Sequence, residues 1–188
     1  MKKALLLAAV LSVSILSVKA QTFFKGTNTV GLGVGVGGNF GSFSYGSQTP
    51  GISVLYEKGI WEIGGPGVIS LGGYAGIKGY KYSGNSGNIH YSQKWNYTII
   101  GVRSAYHYNG INNKKFDVFG GLMLSYNILT YKYDDNIGGG AAVGGSYGSA
   151  AGLTAFVGGR YFFTDNIGAF AEVGYGVSYL TLGVALKF

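Results

Sequence analysis

The sequence predicts an all-β fold, an eight-stranded antiparallel up-and-down β-barrel that crosses a membrane. Three observations predict it. Apolar residues alternate with small or polar ones through eight segments, the period-two mark of strands with one apolar face. The connections between segments alternate between long and short, as in transmembrane barrels. The composition carries 36 glycines and 15% aromatics but only 11% charged residues, against about 25% in soluble domains.

Residues 1–20 read as a signal peptide. Lys2 and Lys3 open it, residues 4–16 are apolar apart from Ser12 and Ser14, and Val18 and Ala20 take the small-residue positions before cleavage. The apolar run of about 13 residues is shorter than the ~20 a spanning helix needs. Cleavage leaves one domain, residues 21–188, with an excess of 4 positive charges (11 Lys and Arg against 7 Asp and Glu). There is no cysteine, so an exported fold stands without disulfides and without a lipid on an N-terminal Cys. The only adjacent basic pair of the mature chain is Lys114–Lys115, which is no nucleic-acid patch.

The strands follow in order. In the first, Val30, Leu32, Val34 and Val36 alternate with Gly31, Gly33, Gly35 and Gly37. The next six cover 51–59, 67–82, 95–108, 116–133, 151–163 and 168–176. In the last, Leu180, Leu182, Val184, Leu186 and Phe188 alternate with Thr181, Gly183, Ala185 and Lys187. The facing of the second stays open, because Leu55 shares its side with Ser53 and Glu57.

Long connections follow the first, third and fifth segments (GNFGSFSYGSQTP, SGNSGNIHYSQK, DDNIGGGAAVGGSYGS). Short ones follow the second, fourth and sixth (IWEIGGP, NGINNKK, TDNI), and about two residues near Val177-Ser178 follow the seventh. Two aromatic belts are expected at the bilayer interfaces. One holds Trp61, Tyr106, Tyr108, Phe116, Tyr161, Phe163 and Phe188 at the short-turn end; the other holds Tyr80, Tyr82, Trp95, Tyr131 and Tyr133 at the long-loop end.

Gly33-Val34-Gly35-Val36-Gly37-Gly38 spells G-x-G-x-x-G, with Glu57 nineteen residues on. A dinucleotide loop requires a helix behind it. Here the apolar alternation runs straight through the motif, so it lies within a strand. An eight-stranded barrel leaves an interior just wide enough for side chains. A glycine row on one strand makes room for bulky residues such as Tyr74, Phe156 or Arg103 on others.

The stretch GGRYFFTDNIGAFAEVGYGVSYLTLGVALKF (158–188) resembles the C-terminal half of small outer-membrane β-barrels of Gram-negative bacteria, of the OmpA and OmpX type. SAYHY (104–108) and DVFGGLMLSY (117–126) fit the same pattern. The resemblance implies a cell outer-membrane location, outer-membrane lipid around a monomeric barrel, and a last strand that acts as the assembly signal for the barrel-insertion machinery, with Phe188 at its end.

Six charges fall on inward phases: Glu57, Lys78, Arg103, Arg160, Glu172 and Lys187. A cation on the lipid face would cost about 2–4 kcal/mol near the midplane, whereas inside the barrel it finds partners. The TDNI turn suggests Arg160–Glu172 as one pair across a hairpin, and Arg103 with Glu57 or a neighbour as another. In so narrow a barrel this network reads as a plug rather than a filter.

No catalytic, metal or cofactor set emerges. His107 near the short-turn end reads as a satisfied polar residue, and two histidines at opposite ends make no metal site. A lipid A-modifying enzyme would need an acid beside His90 and Ser92, and the sequence places none nearby. Asp134-Asp135 reads as solvated loop. The leading reading is a non-enzymatic outer-membrane barrel with a structural or surface-interaction role and loops displayed outside. The alternatives are a narrow pore or conduit for small apolar molecules, the lipid-modifying enzyme, and a soluble secreted barrel. The sequence names no external ligand.

Overall fold

The computed structural model describes residues 22–38, 46–111, 113–136 and 148–188. The expected signal peptide, part of the first long connection and most of 138–150 lie outside the described residues.

Every regular element among them is a strand: β1 (Asn28–Val36), β2 (Ser47–Gln48), β3 (Gly51–Glu62), β4 (Gly67–Ser86), β5 (Ile89–Tyr108), β6 (Phe116–Asp135), β7 (Ala150–Phe162), β8 (Ile167–Tyr175) and β9 (Leu180–Lys187). Eight of them form a ring in the order β1-β3-β4-β5-β6-β7-β8-β9. Each neighbour pair is antiparallel, and β1 closes on β9 through pairs such as Leu32↔Val184. The seam ends in a reciprocal bond pair, Asn28 N to Phe188 O and Phe188 N to Asn28 O, both 3.0 Å. β2 adds two residues beside β4.

The ring is turned inside out relative to a soluble protein. Leu124, Leu153 and Val157 face outward at 63–65% exposure, while Glu57, Arg103 and Arg160 are buried within. Water outside this wall would meet apolar side chains on every strand. Lipid satisfies it, and closure leaves no strand edge in the hydrocarbon. The chain is a transmembrane β-barrel.

The facing of β3 is settled: Ser53, Leu55 and Glu57 point inward, and Ile52, Val54 and Tyr56 outward. The glycines of β1 are inward and buried. A Cβ on Gly33 would meet Thr181, Phe170 and Ser53 side chains within 3.1 Å. Leu55 and Phe170 fill the space opposite Gly31. The row is a packing device; β1 ends at Val36, so Gly37 and Gly38 of the motif lie beyond the strand, both at positive φ.

Three expectations need correction. The stretch 83–94 is not a long loop: β4 and β5 stay paired as far as Ser86↔Ile89, so Gly87 and Asn88 alone make the turn. Gly87 takes the left-handed conformation with φ +61°, which costs glycine little. Polar composition marked exposure there, not the end of pairing. The connection after β8 spans 176–179 rather than two residues. The upper aromatic belt also fails, because Tyr80 and Trp95 are buried and turned inward, and Tyr82, Tyr131 and Tyr133 share their faces. Their parity is that of Lys78, Arg103 and Asn127. The lower belt faces outward: Trp61, Tyr106, Tyr108, Phe116, Tyr161, Phe163 and Phe188 are all exposed.

Candidate functional site

The lumen is the natural place to seek a function, and side chains fill it. Strand alternation sends Glu57 (β3), Arg103 (β5), Asp117 (β6), Arg160 (β7) and Glu172 (β8) to one interior level. Arg103 Nε donates to Glu57 Oε1 at 2.9 Å, and Arg103 Nη2 donates to Glu172 Oε2 at 2.7 Å. Arg160 Nη2 donates to Glu57 Oε2. Arg160 Nη1 lies 3.4 Å from Asp117 Oδ2 and 3.3 Å from Thr29 Oγ1. The guanidiniums also lie on aromatic faces, Arg103 over Phe156 at 4.0 Å and Arg160 over Phe119 at 4.4 Å. Charges withdrawn from water this completely need partners on every side. Here each guanidinium has two carboxylates and a ring, and Arg160 Nε alone of their buried nitrogens is without a hydrogen-bond partner among the described residues.

Arg160 and Glu172 do not pair. The hairpin register sets Arg160 opposite Phe170 and Glu172 opposite Gly158. The turn is centred about one residue earlier than its sequence suggests, which slides the two charges apart. Glu172 reaches Arg103 across the lumen, a contact between strands that are not neighbours.

The chain of contacts continues below. His107 Nδ1 donates to Asp117 Oδ1 at 2.9 Å, and Nε2 lies 3.1 Å from Ser70 Oγ. Ser70, His107 and Asp117 thus have the connectivity of a hydrolytic triad. All three are buried, Ser70 Oγ lies 3.3 Å from the Ala105 carbonyl, and Phe23 and Phe119 cover the imidazole. The serine has no open approach for a substrate. Its role here is to satisfy the histidine.

Sequence reasoning missed the lower seal. Thr22 and Phe23, ahead of β1, turn into the barrel mouth and are buried. Phe23 stacks on His107, with 3.6 Å between ring centroids. Asn109 Nδ2 donates to the Phe23 carbonyl at 2.7 Å, and Thr22 Oγ1 donates to the Asn113 carbonyl at 2.6 Å. Lys187 Nζ reaches the Thr22 carbonyl at 3.4 Å and sits over the Phe162 ring. β3 is bulged between Gly59 and Trp61, and a Cβ on Gly59 would strike the Phe24 carbonyl. A glycine at a strand end was the available signal.

The upper end is tied by Lys78. Its Nζ donates to the Gly37 carbonyl and, at 2.9 Å, to the Val177 carbonyl. Tyr80 and Trp95 stand above it and Tyr97 beside it in the register, in one cluster with Val177, Phe119, Met123 and Phe156. Between the two seals lies a cavity of about 20 Å³ against Tyr74, Arg103 and Glu172, room for about one water. His90 and Ser92 lie far above, on the projecting part of β5. His90 Nδ1 is 2.7 Å from Asn85 Oδ1, and Asp134 is the cross-strand neighbour of Ser92.

No protein-family model and no curated protein sequence matches the chain. Solved structures of Ail from Yersinia pestis align with it. The attachment invasion locus protein in complex with the heparin analogue sucrose octasulfate is 12% identical, covers 88% of this chain and 100% of its own, and gives a TM-score of 0.48. Ail in a phospholipid bilayer nanodisc is 14% identical over 87% of this chain and 100% of its own, at 0.44.

Proposed function

We propose that the chain is a non-enzymatic outer-membrane β-barrel that displays a surface outside the bilayer. The observation that carries this reading is the unequal height of the wall. β1, β8 and β9 have 8–9 residues, whereas β4, β5 and β6 have 20 each. A membrane strand needs about 9–11 residues. The surplus of roughly ten projects about 30 Å along the strands. That projection is hydrogen-bonded sheet, stiff enough to hold a binding surface in place. Its inner side is aromatic, with Tyr91 6.2 Å from Tyr82 and 6.4 Å from Tyr133 between ring centroids. Export by the signal peptide, insertion by the barrel machinery with Phe188 in the assembly signal, and a monomeric state belong to the same reading.

The test is an epitope inserted between Gly87 and Asn88. Antibody should label intact cells of a Gram-negative host. Labelling only after permeabilisation would sink the reading. The filled lumen speaks against a pore: the barrel in a planar bilayer, with insertion verified by protease protection, should give no discrete conductance steps.

A further inference from the structure

The upper wall carries its cations in one row. Lys81 on β4 pairs in register with Lys94 on β5, and Lys94 pairs with Lys132 on β6. All three point outward, on the parity of Ile77, Ile100 and Ile128, and Lys94 and Lys132 are 44% and 67% exposed. Like charges opposite one another on a ladder repel. Asp134 lies 3.8 Å from Lys94 and 3.5 Å from Lys132. Three ammoniums still leave the row with a positive excess.

A groove of about 580 Å³ opens on the outer wall below the row. Val34, Pro50, Ile52 and Ile77 give it an apolar lining. It exists because β3 begins at Gly51 while β4 runs on, and Thr49 bridges the step with its N donating to the Gly79 carbonyl at 2.9 Å. Gly79 and Asn96 face each other at its upper margin, two residues below Lys81 and Lys94, or about 7 Å. A Cβ on Gly79 would press on Thr49 Oγ1 at 3.0 Å and Asn96 Oδ1 at 3.1 Å. Glycine there keeps a path from the row to the groove. A cationic row above an apolar groove, on a wall that faces lipid, matches an amphiphile with an anionic head.

We propose that the lysine row and the groove form one site for a phosphate-bearing lipid of the adjoining leaflet. Its phosphate sits on Lys81, Lys94 and Lys132, and one acyl chain lies in the groove. Three ammoniums supply charge-assisted hydrogen bonds to phosphate oxygens. The site rests on the membrane-barrel reading.

The experiment refolds residues 21–188 in detergent and titrates dioleoyl phosphatidic acid, with native mass spectrometry counting bound lipid. A heat-modifiable gel shift checks the barrel separately. One phosphatidic acid should bind in preference to phosphatidylcholine with the same chains, and glycerol phosphate should not compete. Each Lys→Gln change should weaken binding about fivefold, and K81Q/K94Q/K132Q roughly a hundredfold. Thr98→Phe, a lipid-facing change that fills the groove, should weaken it while leaving the lysines in place. Lys58→Gln at the opposite rim should not. Equal binding by the triple variant, or full competition by glycerol phosphate, would overturn the site while leaving the barrel intact. A parent chain without the gel shift would overturn the membrane reading, and the site with it.

Discussion

The imidazole of His107 lies flat against the ring of Phe23, 3.6 Å between centroids and 7° between planes. One residue belongs to a membrane strand and the other to the short segment ahead of β1. Their stacking joins the lower seal to the chain of polar contacts that fills the lumen.

Phe23→Ala should therefore be costly. The ring is fully buried, and its loss leaves a cavity on His107. Truncations of this kind cost about 3–5 kcal/mol. Urea unfolding in lipid vesicles should show the loss, while Phe24→Ala, at an exposed neighbour, should stay within about 0.5 kcal/mol of the parent.

Glu57 is the hub of the interior charges, accepting from both Arg103 and Arg160. Glu57→Gln keeps its shape and removes the charge two guanidiniums share. The expected destabilisation is about 3–5 kcal/mol, the usual consequence of breaking a buried pair, read from the same unfolding curves.

Double-mutant cycles should separate the two hairpin charges. Arg103 and Glu172 are in contact at 2.7 Å and should couple by about 0.5–3 kcal/mol. Arg160 and Glu172, which meet only through Glu57 and Arg103, should couple less strongly than that direct pair. Coupling of the second pair alone would mean a hairpin register other than Arg160↔Phe170.

Two adjacent glycines should behave differently. A methyl on Gly72 would land on the Tyr56 carbonyl of the neighbouring strand, whereas one on Gly73 meets nothing closer than the Gly101 carbonyl at 3.9 Å. Gly72→Ala should lose the fast-migrating folded band in unheated gels, and Gly73→Ala should keep it.

Period-two alternation is a local property of the backbone, so eight strands, the parity of those with a clear phase and the outward lower belt were legible without coordinates, while the facing of β3 was not. The glycine row of β1 was legible for the same reason: Gly31, Gly33 and Gly35 each stand between apolar residues that face out. Register is not local. A shift of about one residue at the 163–166 turn sends Glu172 to Arg103 and leaves Arg160 to Glu57 and Asp117. Nor does sequence composition report where pairing ends, so the polar stretch 83–94 became wall rather than loop and brought Lys94 into a row with Lys81 and Lys132. Phe23 has no periodic signature, and only the folded barrel offers it a pocket against His107. The sequence by itself determined which residues share a face, because alternation follows from the pleat of each strand, but not the facing of β3 or the inward turn of Tyr80 and Trp95. The tertiary structure alone decided which inward residues meet and what closes the ends, because those contacts join strands whose relative height is set by the closing of the ring.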